Sequence, residues 1–180
     1  MQKHLFVLSL LLLLCWSCQE SNPVKKASEA VLVERLSKDL VANPKTQAEI
    51  ERNVIINHAI DQGYDVQPTA SGIYYQIITP GKGSHPGMTD MITANYKGSF
   101  LNGKEFDSSY SAGKPLEFTL NSVIKGWQEV IPMLKPGGSG LFIIPSHYAY
   151  GERGFPNFIP PNSPLVFKIE LISFDLVDDF

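Results

Sequence analysis

From residue 72 onward, apolar residues fall in short runs that are separated by glycine and proline, which is typical of strands and turns. Residues 72–78 predict a first strand, and residues 91–100 predict a second one. The pair Asn102-Gly103 follows directly and predicts a tight hairpin, with a returning strand that begins at Glu105. Further strands are predicted at residues 116–120, 140–144 and 165–174.

One helical pattern interrupts these strands. Ser122 is placed to cap its start. The apolar face comprises Ile124, Trp127, Val130 and Ile131. Gly126 inside the helix costs about 1 kcal/mol relative to alanine, which indicates that another part of the chain approaches this backbone closely. The order of elements predicts an α+β fold, in which a strongly bent antiparallel β-sheet wraps around one short α-helix.

Two more helical patterns precede the strands. Residues 29–41 have helical spacing, with a predicted apolar face of Val33, Leu36 and Leu40. Residues 46–62 form the stronger pattern, because Thr46 and Glu49 fit a capping box and Gly63 is placed to end the helix. Its predicted apolar side comprises Ile50, Val54, Asn57 and Ile60. This segment can pack on the domain, pair with another copy of the chain or act as a spacer, and the pattern leaves all three open.

The first residues of the chain differ from the rest. Residues 5–14 are almost wholly apolar, which suits a signal peptide and is short for a bilayer span. Cys18 follows the small residue Ser17, as in the lipobox of bacterial lipoproteins, where cleavage leaves a lipidated cysteine. We therefore predict a signal peptide over residues 1–17 and lipidation at Cys18. Lipidation at Cys15, an ordinary signal peptide and an uncleaved anchor are the alternatives.

Composition narrows the classes of function. The chain is 43% hydrophobic and 18% charged, which is a globular composition. Its net charge of −3, without any block of Lys and Arg, argues against a nucleic-acid partner. The four histidines are dispersed and lack metal-ligand spacing, so we expect no metal and no cofactor. Residues 18–66 are predicted to form a tether and N-terminal helical segment, and residues 67–180 the globular domain.

Four sequence segments within residues 72–176 occur in a specific order. They are Tyr96-Lys97-Gly98 with Gly103-Lys104-Glu105-Phe106-Asp107-Ser108-Ser109, then Val123-Ile124-Lys125-Gly126-Trp127, then Tyr148-Ala149-Tyr150-Gly151, and last Ile159-Pro160-Pro161-Asn162-Ser163-Pro164-Leu165-Val166-Phe167. In this order and spacing they resemble the FKBP-type peptidyl-prolyl isomerases. The resemblance covers about 60% of the chain.

The resemblance implies a pocket in which the proline of a substrate lies on Trp127. The implied catalytic residues are Tyr96, Phe106, Asp107, Trp127 and Tyr150. The implied substrate-binding residues are Leu116, Val123, Ile124, Phe155, Ile159 and Phe167, of which Phe155 and Ile159 belong to a flap loop. The hydroxyl of Tyr150 is implied to bond a substrate carbonyl. Phe118, in contrast, is expected to be a core residue.

Two positions depart from the common pattern of this family. Leu116 stands where many members carry phenylalanine, and Ala112 replaces an arginine that pairs with the acidic residue in some members. Asp107 is therefore expected to be held by Ser108, Ser109 or Tyr96. Whether its carboxylate mainly orients Tyr96 or polarises the pocket, or instead mainly caps its own turn, stays open.

The expected function follows from the resemblance and the N-terminus together. We expect an isomerase of X-Pro bonds in exported polypeptides, lipid-anchored in the bacterial cell envelope, at the outer membrane facing the periplasm. A homodimer through the N-terminal helix is left open. The alternatives are a module that binds proline-containing segments in an envelope assembly, and a holdase that works through the N-terminal helices.

Overall fold

The computed structural model describes residues 27–176. The helices in this part of the chain are α1 (Glu29–Leu36), α2 (Gln47–Gln62) and α3 (Lys125–Val130). The strands are β1 (Gln67–Pro68), β2 (Tyr74–Thr79), β3 (Met91–Phe100), β4 (Glu105–Ser108), β5 (Leu116–Thr119), β6 (Gly138–Ile144) and β7 (Leu165–Asp175). The predicted signal peptide at residues 1–17 and the cysteines Cys15 and Cys18 lie outside the described residues. No helix within residues 27–176 has the length and apolar content that a bilayer span requires.

The strands form one antiparallel sheet in the order β1-β2-β6-β7-β3-β4. Strand β3 pairs with β7 along one edge, and its other edge is shared by β5 near Met91 and β4 near Lys97. Between Thr93 and Ala94 the register against β7 shifts, which leaves Ile172 as an extra residue and bends the sheet. The predicted α+β fold is thereby confirmed.

One face of this bent sheet packs on α3 and forms the main core. The inward residues of β3 alternate as the two-residue strand period requires: Ile92, Ala94, Tyr96 and Gly98. Helix α3 meets them with Trp127 and Val130. A Cβ at Gly126 would lie 2.5 Å from Cγ2 of Ile144, so the predicted close approach to this helix is confirmed.

The opposite face of the sheet is covered by the N-terminal helices. Leu141 and Ile143 of β6 point to this side, while Phe142 and Ile144 between them point to α3, so β6 is buried on both faces. The residues of α1 and α2 in this second core are Leu32, Leu36, Ile55, Ile56 and Ala59. Each fully buried leucine or isoleucine contributes about 1.5–3 kcal/mol. The helical segment therefore packs on the domain, which was one of its three open roles.

The predicted apolar faces of the two N-terminal helices are only partly right: Leu36 and Ile60 pack in the second core, and other predicted members do not. Helix α1 ends at Leu36, where a short 3-10 turn over Ser37–Asp39 replaces its predicted last turn, and Val33 and Leu40 are exposed. In α2, Ile50 and Val54 are exposed as well. Both helices carry apolar residues on two sides, and the distant strand β6 determines which side is buried.

The predicted ends of the helices have mixed outcomes. The capping box of α2 is confirmed, because the N–H of Glu49 donates to Thr46 Oγ1 (3.2 Å) and the N–H of Thr46 donates to Glu49 Oε2 (2.9 Å). Gly63 ends this helix in the left-handed conformation, with φ of 70°. The predicted Ser122 cap of α3 is wrong, since its hydroxyl donates to the carbonyl of Thr119 instead.

Candidate active site

A cavity of about 340 Å³ opens between α3 and the strands of its core. This volume lies in the usual range of small-ligand sites. Strands β3, β4, β5 and β7, helix α3 with the turn before it, and the loop after β6 all contribute to its wall. The lining residues are Tyr96, Phe106, Asp107, Leu116, Ser122, Val123, Ile124, Trp127, Tyr150 and Phe167.

Trp127 is fixed in this cavity by a cluster of aromatic rings. Its indole meets the rings of Tyr96 and Phe167 edge to face, with ring centroids 5.0 and 5.3 Å apart. Phe118 contacts it at 5.5 Å from the core side, which agrees with the predicted core role of Phe118. Edge-to-face pairs are each worth about 0.5–1.5 kcal/mol beyond burial, so the indole has little freedom to turn.

Phe106 enters the cavity because β4 bulges beside Gly98. Gly98 pairs with Asp107 and Ser99 pairs with Glu105, which leaves Phe106 as the extra residue. Its ring lies over the backbone of Gly98, where a Cβ would be only 2.7 Å from Cζ of Phe106. The ring then meets Phe167 nearly perpendicularly, at 5.8 Å. Glycine at position 98 thus provides the space for this wall.

The carboxylate of Asp107 forms the polar part of the rim. The Tyr96 hydroxyl donates to Asp107 Oδ2 at 2.5 Å, and the backbone N–H of Ser108 donates to Oδ1 at 2.9 Å. The carboxylate therefore both orients Tyr96 and caps its own turn, so the two roles left open occur together. Asp107 has no ion pair within residues 27–176, and Ala112 is exposed.

The two phenols of the site keep their protons at neutral pH. Burial raises the pKa of Tyr96, and the hydrogen bond to Asp107 and the charge of that residue raise it further. Burial also raises the pKa of Tyr150, with a smaller contribution from the charge of Asp107. The Tyr96 proton is already donated to Asp107, so Tyr150 is the phenol left to donate to a ligand.

Comparison with known proteins agrees with this geometry. A model of the family described as FKBP-type peptidyl-prolyl cis-trans isomerase matches residues 82–172, about half of the chain. The chain belongs to this family. It is 46% identical over 108 residues to the peptidyl-prolyl cis-trans isomerase Mip of Coxiella burnetii, covering 60% of this chain and 47% of Mip.

Other members of the FKBP family extend the likeness. FkpA of Escherichia coli is 42% identical over 134 residues, covering 70% of this chain and 49% of FkpA. The crystal structure of a peptidyl-prolyl cis-trans isomerase from Pseudomonas syringae pv. tomato matches with a TM-score of 0.63 at 33% identity, over 76% of this chain and 99% of that one. This chain spans about half the length of the curated relatives named here.

The FKBP cavity brings together most of the predicted site residues, and Phe155 and Ile159 are the two that do not line it. Phe155 lies beside Tyr150, with ring centroids 5.6 Å apart, and is half exposed. Ile159 is buried in the core and exchanges two backbone hydrogen bonds with Phe155, each 2.8 Å long. Phe158, between them, contacts Phe155 at 5.5 Å and is 64% exposed.

Sequence reasoning missed two contributors to this FKBP site. Ser122 lines the cavity although it was expected only as a helix cap. Gly98 was recognised as part of a motif without a role, and its meaning depends on where the Phe106 ring lies. Within residues 27–176, no three His, Cys, Asp or Glu side chains lie close enough together to hold a metal ion.

Proposed function

We propose that this chain catalyses cis/trans isomerisation of X-Pro peptide bonds in exported polypeptides. The observation that carries the proposal is an aromatic cavity around Trp127 with a single free phenol, that of Tyr150, at its edge. Family membership supports the same reaction.

The reaction needs a shaped, dry pocket and no nucleophile. Amide resonance creates a barrier of about 18–20 kcal/mol, and the planar amide is the more charge-separated form. An apolar wall removes the water that stabilises the planar form, so it favours the twisted transition state over both ground states. The faces of Trp127, Phe106 and Phe167 provide this wall. Each 1.36 kcal/mol of such preference is a tenfold gain in rate.

Tyr150 and Asp107 have separate parts in this proposal. Tyr150, whose pKa is raised by burial, donates its hydroxyl hydrogen to a substrate carbonyl beside the proline. Asp107 holds the Tyr96 ring in position through the 2.5 Å hydrogen bond and removes no proton from the substrate. Substituting Asp107 is therefore expected to change turnover by changing the shape of the cavity wall.

The test is turnover of a proline peptide in a protease-free assay. Tyr150→Phe should lower kcat/KM about two- to tenfold, since it removes one hydrogen bond. Phe106→Ala and Asp107→Ala should lower it as well. Tyr110→Phe is the matched control, because Tyr110 is 57% exposed and does not line the cavity. If all three site variants turn over like the unmodified chain, the site assignment is wrong. Tight binding of proline peptides without turnover would favour the binding-module alternative.

We further propose that the protein is anchored in the bacterial envelope by a lipid on Cys18. The support is the apolar run at residues 5–14 and the small residue before Cys18. Mass spectrometry of the mature N-terminus should find acyl chains on Cys18. Cys18→Ser should abolish them, whereas Cys15→Ser, the matched control, should not. An acylated N-terminus that persists in Cys18→Ser would contradict this assignment.

A homodimer through the N-terminal helices is the last part of the proposal. Its support is a group of apolar side chains that stay exposed on these helices: Val31, Val33, Ile50 and Val54. Sedimentation of the full chain should show a dimer, and Val54→Lys should shift it toward the monomer. A monomer at micromolar concentration would refute this part and leave the catalytic proposal intact.

A further inference from the structure

Glu51 is an acidic side chain buried under the sheet, and the cavity does not use it. It lies on α2 and is 2% exposed. Both of its carboxylate oxygens accept hydrogen bonds from Ser146. The backbone N–H of Ser146 donates to Oε2 at 2.7 Å, and the hydroxyl donates to Oε1 at 2.6 Å. Gln47 Nε2 donates to Oε1 at 2.8 Å, and no cation pairs with Glu51 in residues 27–176.

Ser146 begins the segment that carries Tyr150 to the cavity. It opens the 3-10 turn Ser146–Tyr148, which is closed by a hydrogen bond of 2.8 Å from the N–H of Ala149 to the carbonyl of Ser146. Tyr150 follows this turn after one residue, Ala149. The hydrogen bonds from Ser146 to Glu51 therefore fix the backbone four residues before Tyr150, and the turn between them is itself hydrogen-bonded.

The same turn also lies against α3. A Cβ at Gly126 would lie 3.2 Å from the carbonyl oxygen of Tyr148, so the turn sits against the helix backbone there. Gly126 precedes Trp127, the central ring of the cavity. The turn thus contacts both the Glu51 carboxylate on α2 and the backbone of α3. Ser146 is four residues before Tyr150, and Gly126 is one residue before Trp127.

The contact between the Glu51 carboxylate and Ser146 is of a type that positions backbone. Glutamate is almost never fully buried without a partner, and a buried ion pair is often no better for stability than apolar packing. The neighbouring residues on this side of α2 are apolar, namely Ile55, Ile56 and Ala59. A carboxylate with two directional bonds to one serine fixes that backbone in a way that apolar packing does not, because charge-assisted hydrogen bonds are short and specific in direction.

We infer that Glu51 is a positioning residue for the isomerase site, which holds the Ser146–Tyr148 turn so that the Tyr150 hydroxyl meets the substrate. The inference rests on the proposed function. It gives the N-terminal helical segment a role in positioning the active site, beyond that of a tether.

The experiment compares three variants of the full chain by kcat/KM on a proline peptide. Glu51→Ala should lower kcat/KM about five- to tenfold and no more than Tyr150→Phe does, because it acts through the Tyr150 hydroxyl. Glu51→Gln should stay within about twofold of the unmodified chain. Its amide oxygen can accept from the Ser146 N–H, and its NH₂ can donate to the Ser146 hydroxyl and to the oxygen of the exposed Gln47 amide once that amide turns over. Ile55→Ala is the matched control. It loosens the same helix one turn away and should lower the Tm without lowering kcat/KM.

A double-mutant cycle separates positioning from general loosening. In a Tyr150→Phe background, Glu51→Ala should cost about twofold or less, since the group it positions is gone. An equal factor in both backgrounds, or full activity of Glu51→Ala, overturns the inference.

Hydrogen exchange distinguishes this failure from failure of the proposed function. If the unmodified chain has no turnover, the proposed function fails, and the structural half of the inference is tested on its own. Amides at residues 146–150 should then exchange faster in Glu51→Ala than in Ile55→Ala. Equal exchange in the two variants would overturn the positioning role.

Discussion

Gly98→Ala tests the geometry of the cavity wall with one added methyl group. The new Cβ would lie 2.7 Å from Cζ of Phe106 and 3.0 Å from Cε1 of Phe167. Ordinary Cβ contacts begin at 3.4 Å, so these rings are about 0.7 and 0.4 Å too close. Phe167 is 2% exposed and packed in the main core, whereas Phe106 is only partly buried. Phe106 is therefore expected to swing toward solvent.

The expected cost falls more on turnover than on stability. Overpacking typically costs about 1–3 kcal/mol, and the low end applies here because one ring can move. We expect a loss of about 1 kcal/mol in the free energy of unfolding, which lowers the Tm by about 2–4 °C. The displaced wall no longer covers the proline. Losing about half of the 1.5–3 kcal/mol that a buried phenylalanine provides should lower kcat/KM about four- to twelvefold.

The assay is protease-free turnover of a proline peptide, with thermal unfolding measured on the same samples. Gly87→Ala is the matched control, because its Cβ would meet its nearest neighbour, Asp90 Oδ2, at an ordinary 3.5 Å. The Phe106→Leu background provides the second comparison. There the Phe106 ring is gone and only the closer approach to Phe167 remains, so Gly98→Ala should cost less activity than in the unmodified chain. An equal loss in both backgrounds, or a Gly98→Ala variant as active as Gly87→Ala, would refute the reasoning.

Three other predictions concern stability. Thr46→Ala removes the side-chain acceptor of the α2 capping box and should lower the free energy of unfolding by about 1 kcal/mol. Thermal unfolding should show a lower Tm, and an unchanged Tm would contradict the role of the box. Ile56→Ala should lower the free energy of unfolding by about 2–5 kcal/mol. Because the N-terminal helices and the sheet share a core, fluorescence and circular dichroism should still report a single unfolding transition, and two separate transitions would contradict a shared core. Burial lowers the pKa of His58, with Asp61 acting weakly the other way. The unfolded chain therefore binds this proton more readily, and the free energy of unfolding should fall as the pH drops below about 6.5. In His58→Gln, urea midpoints at pH 7.5 and 5.5 should differ less, and an unchanged difference would exclude His58 as the cause.

The local alternation of apolar and polar residues was sufficient to predict most strands of the sheet. The bounds of β3 were predicted to the residue, because the two-residue alternation and the Asn102-Gly103 turn are set by neighbours in the chain. The capping box of α2 was equally accessible, since its two partners are three residues apart. Strand β1 was not predicted, because two residues form a strand only when β2 lies beside them.

The candidate site was predictable as a set of residues and not as an arrangement. Ordered motifs identified the aromatic lining around Trp127. They could not show that Asp107 both orients Tyr96 and caps its turn, because the bond to Tyr96 depends on the pairing of β4 with β3. They also placed Phe155 and Ile159 in a flap without indicating that neither lines the cavity.

The sequence alone determined the elements that depend on contacts a few residues apart: the strand alternation, the capping box, the hairpin and the order of motifs that identifies the family. Only the tertiary structure decided which sides of α1 and α2 are buried and why a glutamate lies among apolar residues. Glu51 and Ser146 are 95 residues apart in the chain. A charged residue on a helix is ordinarily solvated, and a partner that distant leaves no local periodicity to read, so the role of Glu51 emerges only when the sheet brings the two together.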